Sequence, residues 1–120
     1  MAPDFLPSSR DTLEIEPSAL HALLDAGQAG SIRLIDCREA DEFAICKLPG
    51  AQLVPLSRFP DAAEPLLQDA GTPVVVYCHH GMRSAEAAGF LRARGLAPTF
   101  SLRGGIDAWS REIDPSVARY

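Results

Sequence analysis

Pro73-Val74-Val75-Val76-Tyr77-Cys78-His79-His80-Gly81-Met82-Arg83-Ser84 passes from the most β-rich run in the chain, through a short polar loop, into a helical pattern. Residues 73–78 are hydrophobic without alternation, which predicts a strand buried on both faces, as in the middle of a parallel sheet. From Arg83 to Arg94 the spacing of Ala85, Ala88, Phe90 and Leu91 predicts an amphipathic helix, and Gly95 is its stop. A strand, a tight loop and a helix in that order make the first half of a βαβ crossover.

The pattern continues on both sides of this stretch. Residues 12–16 read as a short strand. Pro17 then opens a helix at a position where its missing N–H costs nothing, and Gly27 closes it. Leu20, Leu23 and Leu24 should face the core, whereas His21 reads as a surface or half-buried residue. Residues 31–36 form an inner strand ending on Asp36, 40–46 a short helix, and 51–54 a second short strand closed by Pro55. Residues 57–70 read as mostly helical, with Pro60 and Pro65 limiting where turns can begin and Gly71 ending the run. Residues 99–102 are a last strand, followed by Gly104-Gly105 and a helix through Trp109, which reads as core packing. Strands alternating with helices predict an α/β fold: an open, mostly parallel five-stranded sheet with helices on both faces. There is no internal repeat and no low-complexity segment.

Composition narrows the function classes. A chain of 120 residues suits one domain, assigned here to residues 12–114. It is preceded by a flexible N-terminal segment, 1–11, that lacks the pattern of a signal peptide, and followed by a C-terminal tail, 115–120. Sixteen acidic against 11 basic side chains give a net charge of −5, which argues against nucleic acid as a partner. Mean hydropathy is near zero, and the apolar runs fall short of the ~20 residues a membrane helix needs. Three cysteines, none in a Cys-x-x-Cys pair, argue against a disulfide scaffold and for a reducing, cytoplasmic setting. A monomer is the default at this size. Cys78, His79 and His80 are consecutive, and neighbouring residues rarely turn several donors onto one tetrahedral ion, so no metal site is expected.

Chemistry in open α/β sheets gathers at the carboxyl ends of the strands. Cys78 sits at such an end, just before a helix whose first amides lack intrahelical partners and carry partial positive charge. A sulfur there is stabilised as the anion. Gly81 lets the chain turn so that amides point inward, and Arg83 adds a fixed cation at the rim. The plainer alternative is a buried, inert cysteine. A polar, glycine-bearing loop with two histidines and an arginine favours an anion-binding cradle.

Cys78-His79-His80-Gly81-Met82-Arg83-Ser84 resembles the active-site loop of the rhodanese family of sulfurtransferases. Asp36-Cys37-Arg38-Glu39 with Glu42-Phe43, then Leu48-Pro49-Gly50-Ala51, resembles the family's N-terminal signature, and Gly104-Gly105 with Ala108-Trp109 its C-terminal one. The resemblance implies sulfur transfer without a cofactor. Cys78 would take the outer sulfur of thiosulfate or a persulfide donor as a persulfide and pass it to cyanide, a thiol or a sulfur-carrier protein. The amides of His79, His80, Gly81, Met82 and Arg83 would hold the anion, with the Arg83 side chain on sulfonate oxygens and His79 and His80 assisting when protonated. Asp36, Arg38 and Ser84 would support the loop. Three positions depart from the family pattern. Cys46-Lys47 replaces the usual Gly-His, so Lys47 could supply a cation near the mouth and Cys46 a second thiol that resolves the persulfide. Cys37 replaces an aliphatic residue and reads as a small apolar filler. Residues 113–120 resemble rhodanese domains attached to adenylating enzymes, which suggests a carrier-protein acceptor. The rival readings are a noncatalytic rhodanese-like binding module and a cysteine phosphatase or arsenate reductase. Phosphatase cradles set their arginine one position further along than Arg83.

Overall fold

A computed structural model of the chain describes residues 6–8, 12–68, 71–96 and 98–120. Most of the expected flexible segment 1–11, and the end of the expected helix at residues 69–70, lie outside the described residues. Five strands form one sheet: β1 (Glu14–Ile15), β2 (Arg33–Asp36), β3 (Gln52–Leu53), β4 (Val74–Tyr77) and β5 (Thr99–Leu102). Their order is β1-β5-β4-β2-β3 and every pairing is parallel. The helices are α1 (Pro17–Asp25), α2 (Ala40–Ile45), α3 (Glu64–Leu67), α4 (Met82–Ala93) and α5 (Gly105–Glu112).

The uninterrupted apolar run of β4 is explained by its place in the sheet, between β5 and β2 with a core on each face. Val75 and Tyr77 pack with Leu34, Phe100 and Leu102 beneath Leu20 and Leu23 of α1 and Ile106 and Trp109 of α5. On the opposite face Val74, Val76 and Cys78 pack with Ile35, Cys37, Leu66, Ala87 and Leu91. Trp109 lies in the first core, as expected, and meets the exposed His21 edge-on at 6.0 Å. Asp36 pairs with Tyr77 in register, and the Cys37 N–H donates to the Tyr77 carbonyl at 3.0 Å. Cys37 and Cys78 therefore leave neighbouring central strands side by side and on the same face.

Two expectations need correction. Residues 57–70 are not one helix: two 3-10 turns, Leu56–Arg58 and Asp61–Ala63, precede the short α3. Pro60 holds Phe59 in extended backbone (φ −69°, ψ 146°), and Pro65 fits only the first turn of a helix, so a helix cannot run through it. In α4 the buried face is Ser84, Ala87, Ala88 and Leu91, while Ala85 is half-buried. Apolarity alone turns Ala85 inward. The Ser84 hydroxyl instead lies 2.7 Å from Ser101 Oγ and 3.2 Å from the Gly81 carbonyl, and that pairing removes the penalty for burying it.

Candidate active site

Cys78 follows β4 directly and is fully buried. Its Sγ accepts the Gly81 N–H at 3.0 Å and the Ser84 N–H at 3.3 Å, and lies 3.5 Å from Ser84 Oγ. Residues from elsewhere in the chain give the loop this shape. The first turn of α5 donates back to it, Ile106 N–H to the Cys78 carbonyl at 2.8 Å and Asp107 N–H to the His79 carbonyl at 3.0 Å. With those carbonyls held toward α5, the following amides are free to face the sulfur. Gly81 makes the turn at φ 103°, where an L side chain is strained. At Gly105 a Cβ would run into the Cys78 and His79 carbonyls, so two glycines make the close approach possible.

The cradle lowers the Cys78 pKa to about 5. The largest cause is a hydrogen bond from the Cys37 thiol; burial opposes it, and the Ser84 hydroxyl and the Ser84 and Gly81 amides add to it. Cys37 responds in the opposite sense. Its thiol pKa is raised by donating to Cys78, by burial and by the nearby charges of Cys78 and Asp36. Of the amides expected around the sulfur, that of Gly81 reaches it. The amide of Ser84, a residue expected only to support the loop, is its partner.

The polar rim is tied together before any ligand arrives. Arg83 forms a two-point ion pair with Glu42, Nη1 to Oε1 at 2.6 Å and Nη2 to Oε2 at 2.9 Å. The pair holds the Glu42 carboxyl down at about 2, against burial and with help from Tyr120. Tyr120 donates to Glu42 Oε2 at 2.7 Å, accepts from Arg38 Nη1 at 2.8 Å, and stacks on His79 with ring centroids 3.9 Å apart. His79 is held below the usual imidazole range by burial and by His80, so it is neutral at neutral pH. Met82 is 84% exposed. Lys47 lies over the Phe43 ring at 4.7 Å.

Asp36 and Arg38 are both fully buried and pair with each other, Arg38 Nη2 to Asp36 Oδ2 at 2.7 Å and Nε to Oδ1 at 3.0 Å. Arg38 also donates to the Cys46 carbonyl and to Tyr120. Its link to the loop thus runs through Tyr120 and His79. Cys46 is half-buried, with its Sγ 3.8 Å from Arg38 Nη1; the thiol that shares a core face with Cys78 is Cys37. Tyr120 could not be found from the sequence, because it carries no motif and lies 78 positions from Glu42. His79, His80 and Asp107 bring potential metal-ligand atoms within 4.8 Å of one another. Asp107, however, is already bound by Arg111 at 2.9 Å and Arg119 at 3.1 Å, and two guanidinium groups disfavour a cation there.

The model of the Rhodanese-like domain family matches residues 16–112. A protein named Sulfurtransferase from Allochromatium vinosum is 36% identical over 87 residues, covering 72% of this chain and 79% of that protein. The probable adenylyltransferase/sulfurtransferase MoeZ of Mycobacterium tuberculosis is 34% identical over 106 residues, 88% of this chain but 26% of MoeZ. This chain thus spans about a quarter of that relative's length. The crystal structure of a thiosulfate sulfurtransferase from Pseudomonas aeruginosa superposes with a TM-score of 0.76 at 27% identity, over 92% of this chain and 21% of that one. Among the described residues no helix is long and apolar enough to cross a membrane.

Proposed function

The chain belongs to the rhodanese-like domain family, and from that premise we propose that it moves sulfane sulfur through a persulfide on Cys78. The Cys78 thiolate attacks the outer sulfur of the donor, forming a new S–S bond as the donor's own S–S bond breaks. Thiosulfate would leave as sulfite, and a persulfide donor as its thiolate. The negative charge moves from Sγ to the added sulfur, and the Gly81 and Ser84 amides remain as preorganised donors at the site. An acceptor thiolate or cyanide then attacks the outer sulfur and restores the Cys78 thiolate. Proton and charge bookkeeping close without a cofactor.

The observation that carries this reading is the Cys78 sulfur at the end of a central strand, accepting from one loop amide, Gly81, and one α4 amide, Ser84, which favour its anion. The rim favours one kind of donor. Sulfonate oxygens would have to draw Arg83 away from Glu42, whereas a persulfide of lower charge makes no such demand. We therefore place a small or protein persulfide ahead of thiosulfate as donor. Because Cys78 exposes no surface in this conformation, a donor reaches Sγ only when neighbouring side chains give way.

The test is direct. Wild-type protein given thiosulfate or glutathione persulfide should gain one sulfur by intact mass and return it to cyanide as thiocyanate. Cys78→Ser should do neither. Phosphate release from an aryl phosphate, without sulfur uptake from either donor, would point to the phosphatase alternative.

A further inference from the structure

Cys37 lies in the core, as a filler would. It directly follows β2, one position beyond the Asp36–Tyr77 register pair, and Cys78 holds the equivalent position after β4. Neighbouring strands lie about 4.8 Å apart, within the roughly 4.4–6.8 Å Cα separation that a disulfide spans. Both side chains enter the same core face, and both residues are fully buried. The transfer reaction described above gives this second thiol no bond-making step.

We propose that Cys37 is a resolving thiol: when no acceptor arrives, it attacks Sγ of the Cys78 persulfide, closes a Cys37–Cys78 disulfide and expels the stored sulfur as hydrosulfide. The inference rests on the persulfide reading. One S–S bond forms, between the two Sγ atoms, and one breaks, between Cys78 Sγ and the outer sulfur. The Cys37 proton goes to the departing sulfur, which takes the electron pair, so persulfide anion plus thiol gives disulfide plus HS⁻ with no external oxidant. A dithiol reductant would reopen the pair by exchange.

Loading changes what Cys37 faces. In the unloaded protein the anionic Cys78 sulfur and burial help keep the Cys37 proton in place. Once loaded, Sγ is no longer the charged atom and becomes an electrophilic sulfur on the core face that Cys37 shares. Cys37 approaches Sγ from the β2 side, whereas the amides of Gly81 and Ser84 approach it from the loop and α4.

The experiment loads reduced protein with glutathione persulfide, removes excess donor, and follows nonreducing intact mass and sulfide release without acceptor. In wild type, a species heavier than the reduced protein by about 32 Da should give way to one lighter by about 2 Da, with stoichiometric sulfide. Peptide mapping should join residues 37 and 78. In Cys37→Ala and Cys37→Ser the loaded form should survive at least about tenfold longer, and Cys46→Ser should behave as wild type. A wild-type persulfide as durable as that of the Cys37 variants overturns the inference and leaves the persulfide reading intact. Should no protein gain sulfur, the persulfide reading fails instead, and diamide oxidation of wild type decides the pairing. A Cys37–Cys78 cross-link then supports it, and any other result overturns it.

Discussion

At Cys78, burial and hydrogen bonding act in opposite directions on one sulfur. Burial alone raises a thiol pKa, yet the Cys37 thiol and the amides of Ser84 and Gly81 bring it down to about 5. The folded value lies below the unfolded one of about 8.5, so the ionised sulfur stabilises the fold fully above that unfolded value. This contribution is lost as pH falls through about 5. The ultraviolet absorbance of the thiolate should therefore titrate with a midpoint near pH 5. Removing the largest donor with Cys37→Ala should move that midpoint upward, and Cys37→Ser, which keeps a hydroxyl donor, should move it less. An unchanged midpoint in Cys37→Ala would mean that the amides suffice. The proposed nucleophile was legible in the sequence because a cysteine between a buried strand and a glycine-bearing loop has few structural uses. Its strongest partner was not, because Cys37 belongs to another strand and only sheet register brings the two sulfurs together.

Among the elements, α5 has an effect on the site that its own residues do not announce. Its first amides pin the carbonyls of Cys78 and His79, and Gly105 leaves room for them. Gly105→Ala should cost about 3 kcal/mol or more in urea unfolding, since backbone must shift to admit the methyl group, and sulfur loading should fall with it. Gly27→Ala is the matched control. It also has positive φ, 76°, but opens onto empty space, so it should cost only about 1 kcal/mol and load normally. The Gly104-Gly105 pair was visible in the sequence as a motif, but its partner was not, because backbone-to-backbone contacts leave no side-chain signature. Residues 57–70 show the converse. Pro60 and Pro65 were recognised as constraints on turns, and the structure shows them dividing the segment altogether.

Across the whole molecule, Arg38 ties Asp36 at the end of β2 and the Cys46 carbonyl after α2 to the distant Tyr120. Removing its charge leaves Asp36 buried and unpaired, so Arg38→Met should destabilise by about 3–5 kcal/mol. Tyr120→Phe removes two hydrogen bonds at a partly exposed position and should cost about 1 kcal/mol. Urea titration of the two variants checks the ranking, and equal losses would mean that the Tyr120 contacts matter as much as the buried ion pair. The sequence by itself determined the order of strands and helices, the burial of β4 and the place of Cys78 at the end of it. Those follow from short-range periodicity, proline and glycine chemistry, and residue type, all of which are local. Only the tertiary structure decided that Arg83 is neutralised by Glu42, that Tyr120 lies on His79, that α5 shapes the cradle and that Cys37 and Cys78 share one core face. Each of these joins residues set far apart along the chain, and their meeting depends on sheet order, register and helix rotation, which no local pattern encodes.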